Sequence, residues 1–210
     1  MAVYKATAPQ SLISKIKTNS AVINRAAAQA LNKTATFAIN KSVDEITKAV
    51  NLSPEYVKKH FKVGNRASPS NLSVVIYANE RATLLTRYKT SQSAKGIRVA
   101  VNRGGGLTEL RGAFKISGLR GSQATGIAMR NKVALEFFER AAGNGERTSG
   151  KSSKLARLAA KAKARPNGIY VLHSRSINQL FTSVRDDVGP LASDFLLEDF
   201  IEQFNRLKLR

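Results

Sequence analysis

From residue 20 to residue 50 the chain reads SAVINRAAAQALNKTATFAINKSVDEITKAV, with apolar side chains at Ile23, Ala27, Leu31, Ala35, Ala38, Ile46 and Ala49. That spacing follows the helical period, and Arg25, Asn32, Lys33, Asn40, Lys41 and Lys48 fall largely off the stripe. No Gly or Pro interrupts the run, alanine favours the helical state, and Ser20 offers a cap oxygen. The small side chains permit close packing on a sheet or on another helix. LSPEYVKKHF predicts a second, short helix: Ser53 can cap it, Pro54 suits its first position because the missing N–H has no partner there, and Glu55 sits at its positive end. GNRASPSN, residues 64–71, has the composition of a loop.

The texture changes at residue 72. LSVVIYAN, RATLLTRY, GIRVAVN, LTELRGAFKIS and GIAMR are β-branched segments separated by Gly, Ser and Asn, which predicts an antiparallel sheet. In GIRVAVN the set Ile97, Val99 and Val101 points one way and Arg98 the other, the pattern of a sheet covered on one face, here by the long helix. Residues 140–167 hold eight basic groups and one acidic group, open with a Gly/Ser-rich loop and continue into an Ala/Lys helical stretch, so they read as an insertion or mobile arm. GIYVLHSRSI resumes strand character. VGPLASDFLLEDFIEQFNRLK closes the chain as an amphipathic helix with Leu191, Phe195, Leu196, Phe200, Ile201 and Phe204 on one side. No repeat of the solenoid kind is evident.

Together these elements predict an α+β fold: a long N-terminal helix packed on an antiparallel sheet, a basic arm inserted over residues 131–167, and a C-terminal amphipathic helix. A length of 210 residues fits one domain spanning 1–210, and a hydrophobic fraction of 42% is enough for a core, which excludes whole-chain disorder.

Charge changes the picture more than composition does. Thirty-five Lys and Arg against 14 Asp and Glu give +21, a field that draws phosphate backbones or acidic protein faces. It is uneven: residues 1–175 hold 31 basic and 8 acidic groups, +23, whereas residues 176–210 hold 4 and 6, −2. There is no cysteine, which excludes disulfide scaffolds, thiolate metal sites and cysteine nucleophiles. MAVYKATAPQSLISKIK lacks the apolar stretch of a signal peptide and no segment is apolar for long enough to span a bilayer, so synthesis in the cytosol and no membrane partner are expected.

Candidate chemistry is thin. His60 and His173 are the two imidazoles and neither sits in a metal-binding spacing, so both read as structural. Asp186, Asp187, Asp194, Glu198, Asp199 and Glu202 could in principle hold Mg²⁺ as in a nuclease, but read more simply as a solvated or partner-facing side of the last helix. Gly104, Gly105 and Gly106 follow a strand without the rest of a phosphate-binding signature, and read as a flexible hairpin. Gly112-Ala113-Phe114 reads as a strand kink with a core phenylalanine. No catalytic residue, metal ligand or cofactor is expected. The basic groups Lys151, Lys154, Arg157, Lys161, Lys163 and Arg165 could follow a nucleic-acid backbone without reading its sequence, dock acidic neighbours, or simply be solvated. Few aromatics interleave them, which disfavours a single-strand stacking platform.

AAAQALNKTATFAINKSVDEITKAVNLSPEYVKKHFKV, then the pair GIRVAVNRGG and RGAFKI, then IYVLHSRSINQLF leading to a final helix, resemble in order and texture the phage minor tail protein Z family, also described as tail completion proteins. The resemblance covers residues 20–120 and 168–208. It implies a small α+β protein at the junction between head and tail, present as a symmetric ring and without catalytic residues. Residue by residue only Gly112, Ala113 and Phe114 match a recurrent family element, and the stretch 131–167 departs from the family's pattern. The expectation is a virion protein of the tail or neck, assembled in the host cytoplasm as a six-fold ring beside connector, tail-terminator or tail-tube proteins. Arg98, Arg103, Arg111, Lys115 and the cations between residues 151 and 165 would face packaged double-stranded DNA or an adjacent ring, and Leu191, Phe195, Phe200 and Phe204 would form a partner-helix interface. Two alternatives are a sequence-independent nucleic-acid-binding protein of ribosomal or nucleoid type, and a phage nuclease using the C-terminal acids.

Overall fold

The structure is a computed structural model that describes residues 4–6, 21–119, 124–136 and 149–208. In chain order it runs β1 (Tyr4–Ala6), α1 (Ala21–Ala49), α2 (Pro54–Lys59), β2 (Phe61–Val63), β3 (Val74–Ala78), β4 (Ala82–Leu84), a 3-10 turn (Leu85–Arg87), β5 (Lys89–Ser93) and β6 (Gly96–Ala100). It continues through β7 (Thr108–Arg111), β8 (Phe114–Ile116), β9 (Gly126–Arg130), α3 (Ser149–Ala164), β10 (Ile169–Val171), β11 (His173–Ser176) and α4 (Ile177–Lys208). The predicted α+β class, with long helices at both ends of antiparallel sheets, is what is seen. The chain forms two compact units, the first from the segments up to Ala82 and from Arg175 onward, the second from Thr83–Ser174.

In the first unit α1 and α4 run antiparallel. Gln29 meets Arg206, Lys33 meets Asp199 and Phe37 meets Phe195, so one residue number rises as the other falls. Helix α1 buries more than the single predicted stripe: Ala26, Ala30, Leu31, Ala35, Ala38 and Ile46 are all nearly inaccessible, because α1 lies against α4 and also on β3 of the β1-β3-β2 sheet. Alanine leaves room for that double contact. Thr34 and Ser42 are buried too, and each hydroxyl donates to the carbonyl four residues back, Ala30 at 2.8 Å and Ala38 at 2.7 Å, which removes the cost of an unpaired polar group. The predicted cap of α2 is present: the Ser53 hydroxyl accepts from the Tyr56 N–H at 3.2 Å. Ser20, proposed as the cap of α1, lies outside the described residues. Asn32 exchanges two hydrogen bonds with the backbone of Ala67, at 2.9 and 3.0 Å, tying the loop of residues 64–71 to α1.

The last helix departs from its sequence reading. Its predicted start was residue 188, but α4 begins at Ile177, where Ser176 and Gln179 exchange hydrogen bonds of 3.0 and 3.1 Å in a capping box. Pro190 stands inside the helix, on its exposed side, where it removes one helix hydrogen bond. The buried face of α4 is Leu180, Phe181, Val184, Val188, Ala192, Leu196, Asp199 and Gln203; it lies against α1, and at its start Phe181 meets the Phe61 ring of β2 edge-on at 5.2 Å.

In the second unit β5, β6 and β7 form an antiparallel meander, and β10, β9 and β8 a second antiparallel sheet. Ile97 and Val99 are buried as expected, but their strand belongs to this unit, and the sheet beneath α1 is β1-β3-β2 instead. Strand β5, KTSQS, carries no hydrophobic pattern and forms because it pairs with β6 residue for residue, from Lys89 opposite Ala100 to Ser93 opposite Gly96. LTELRGAFKIS, read as one kinked strand, is two strands in two sheets. The chain turns between them at Gly112, whose φ of +70° is a left-handed conformation that L side chains resist.

Candidate functional site

The cations proposed for polyanion contact all lie in the second unit, in three settings. Arg98 on β6 stands opposite Glu109 on β7 and Ser91 on β5, with Lys89, Ser93 and Arg111 on the same face of the meander. Glu109 joins the two arginines: Arg98 Nε lies 3.6 Å from its Oε1 and Arg111 Nε 3.7 Å from its Oε2. The Ser93 hydroxyl donates to Glu109 at 2.9 Å, and this bond, followed by Arg98, Arg111 and Lys95, holds the Glu109 carboxyl below the usual carboxylate range. Both guanidinium groups remain open to water, at 51% and 76% exposure, so they can meet a phosphate while Glu109 fixes their directions. Arg103 sits exposed in the turn after β6.

Lys115 is exposed on β8, in the other sheet. There Arg130 reaches over the Phe114 ring at 5.9 Å, while Ala113 is buried, so the Gly-Ala-Phe element is a corner between sheets with a structural role. On β10 of the same sheet Tyr170, opposite Met129, is half-buried, which raises its phenol above the ordinary range.

The third setting is the basic stretch. Residues 137–148 lie outside the described residues, as do the side chains of Lys151 and Lys154 on α3. Arg157, Lys161, Lys163 and Arg165 are exposed, whereas Ala162 is buried and faces the unit. The end of α3 is anchored: Asn131 Nδ2 donates to the Arg165 carbonyl at 2.7 Å, the Lys132 N–H to Pro166 at 3.2 Å, and the Asn131 N–H to Gly168 at 2.9 Å. Cations on α3 are thus presented from a fixed root.

The histidines take structural positions: His60 Nδ1 lies 2.7 Å from the Tyr56 carbonyl, and His173 Nδ1 lies 2.9 Å from that of Val171. Among the described residues no three His, Cys, Asp or Glu side chains come together as a metal site requires, and no helix is long and apolar enough to cross a membrane. Five of the six C-terminal carboxylates are exposed. The sixth, Asp199, was read with them on the open side, but it is only 5% exposed and pairs with Lys33 Nζ at 2.7 Å. Gln203 Nε2 also donates to it, at 3.2 Å.

On α4 the predicted partner interface splits. Leu191 is 48% exposed, Phe200 and Phe204 are half-buried on the side away from α1, and Phe195 stacks on Phe37 of α1 with ring centroids 4.3 Å apart and planes 4° from parallel. That pair floors a groove of about 530 Å³ bordered by Asn32, Lys33, Thr36, Asn40 and Arg66. Lys41 Nζ lies 5.7 Å from the Phe37 ring. Sequence periodicity did not reveal this groove, since Phe37 lies off the stripe and its partner is remote along the chain.

A family model described as prophage minor tail protein Z matches residues 10–145. The resemblance read at residues 20–120 falls inside that span, and the one read at 168–208 falls outside it. No curated protein and no solved structure matches the chain.

Proposed function

We propose that this chain, which belongs to the prophage minor tail protein Z family, completes the phage tail as a ring seated where tail meets head. As a member of that family it is a structural tail protein and a component of the virion, interacting with other virion structural proteins. The finer reading is ours: a six-fold ring that joins the tail to connector, tail-terminator or tail-tube proteins and touches packaged DNA through basic side chains. Family membership carries the proposal. The exposed Arg98 and Arg111, set on a rigid meander by one carboxylate, support the DNA contact, since backbone recognition needs oriented cations and no base-reading element.

The test is depletion. Phage made without this chain should yield filled heads and separate tails, and adding the purified protein should join them. Joined, infectious particles formed in its absence would overturn the proposal. For the DNA contact, affinity for a duplex should fall steeply with salt, and Arg98→Ala with Arg111→Ala should flatten the log–log slope by roughly two, about one per lost phosphate contact. An unchanged slope would remove these arginines from the interface.

A further inference from the structure

Helix α4 is apolar on two sides. One side faces α1. On the other, Leu197, Phe200, Ile201 and Phe204 stand at the i, i+3, i+4, i+7 spacing of a single helical face. Leu197 and Ile201 are 41% and 59% exposed, and the rings of Phe200 and Phe204 lie 6.2 Å apart. Scattered exposed leucines are ordinary, but a continuous strip of this kind marks a surface that another protein covers. Asp194, Glu198 and Glu202, spaced by four, run as an exposed acidic ridge between the strip and the Phe195 side of the helix.

The same unit carries the opposite surface. The Phe37–Phe195 groove has an aromatic floor, with Lys41 and Arg66 around it and Lys33, paired with Asp199, at its border. An apolar strip edged by carboxylates matches an apolar groove edged by cations, and a chain of +21 has few acidic surfaces elsewhere to offer. We infer that the outer strip of α4 in one copy docks into the Phe37–Phe195 groove of the next copy. This rests on the ring reading and supplies its interface. Two different patches meeting head to tail make a heterologous contact, the kind that closes into rings.

Sedimentation velocity on the full chain over a dilution series tests it, using wild type, Ile201→Asp, Arg66→Glu and Glu198→Arg. Wild type should self-associate, and each variant should weaken association roughly tenfold or more while its circular dichroism stays unchanged, because the altered side chains are exposed. Mixing Glu198→Arg copies with Arg66→Glu copies should restore association above either alone. If wild type associates and either Ile201→Asp or Arg66→Glu associates as strongly, this interface is wrong and the ring reading stands. If wild type remains a monomer throughout, both fail.

Discussion

Removing the exposed partner of the Lys33–Asp199 pair should harm the protein more than removing the buried one. Asp199 is 5% exposed and holds two hydrogen bonds, from Lys33 Nζ at 2.7 Å and Gln203 Nε2 at 3.2 Å, both to Oδ1; Oδ2 has none. Lys33→Met strands a desolvated carboxylate. For a fully buried pair that costs about 3–5 kcal/mol; Lys33 is 50% exposed, so water replaces part of what is lost and about 2 kcal/mol is expected. Asp199→Leu removes the buried charge itself, leaves the ammonium in water, and deprives only Gln203 of an acceptor, about 1 kcal/mol. In the Asp199→Leu background Lys33→Met should then cost close to nothing, giving a coupling of about 2 kcal/mol. Urea unfolding of the four proteins, compared at equal m-value, measures the cycle. Asp199→Leu proving the more damaging single change, or Lys33→Met costing the same in both backgrounds, would refute the reasoning.

Gly112→Ala should destabilise by about 1–2 kcal/mol in thermal or urea unfolding, since φ is +70° and a Cβ would come within 3.2 Å of Val133 Cγ1. Ser176→Ala breaks the capping box at the start of α4 and should cost about 1 kcal/mol in the same assay. Glu109 should titrate below an ordinary glutamate when its side-chain carbon is followed by NMR, and Ser93→Ala should move the midpoint upward. Because its folded value is the depressed one, Glu109 stabilises the fold above the unfolded carboxylate range, and that contribution disappears as pH falls through the folded value.

The fold was legible wherever a segment has one apolar face. Helix α1 and the α2 cap follow from spacing and from Ser53-Pro54, and β3, β6 and β9 from β-branched runs. Three elements resisted for physical reasons. Strand β5 is polar and exists only because β6 offers it a pairing edge. The start of α4 was hidden by β-branched residues before it, although the Ser176 to Gln179 spacing was a helix signal in plain view. On α4 itself the predicted stripe of residues 191, 195, 196, 200, 201 and 204 mixes two faces, and of these only Leu196 is buried. Periodicity cannot say which of two apolar faces meets α1, and Asp199 and Gln203, polar letters in the sequence, belong to the inner one.

The candidate site shows the same limit in electrostatic form. A charge of +21 predicts an anionic partner, but composition does not say which cations act together. Register does: Arg98 and Arg111 are drawn into one cluster because β6 and β7 place Glu109 between them, while Lys115, close to Arg111 in sequence, is carried to another sheet by the turn at Gly112. The few acids are equally selective. Glu109 orients cations, Asp199 clamps α1 to α4, and Asp194, Glu198 and Glu202 stand exposed beside an apolar strip. In so basic a chain a carboxylate that pairs internally fixes the direction of the cations beside it, and one that stays exposed makes a place where another copy of the same basic chain can be held.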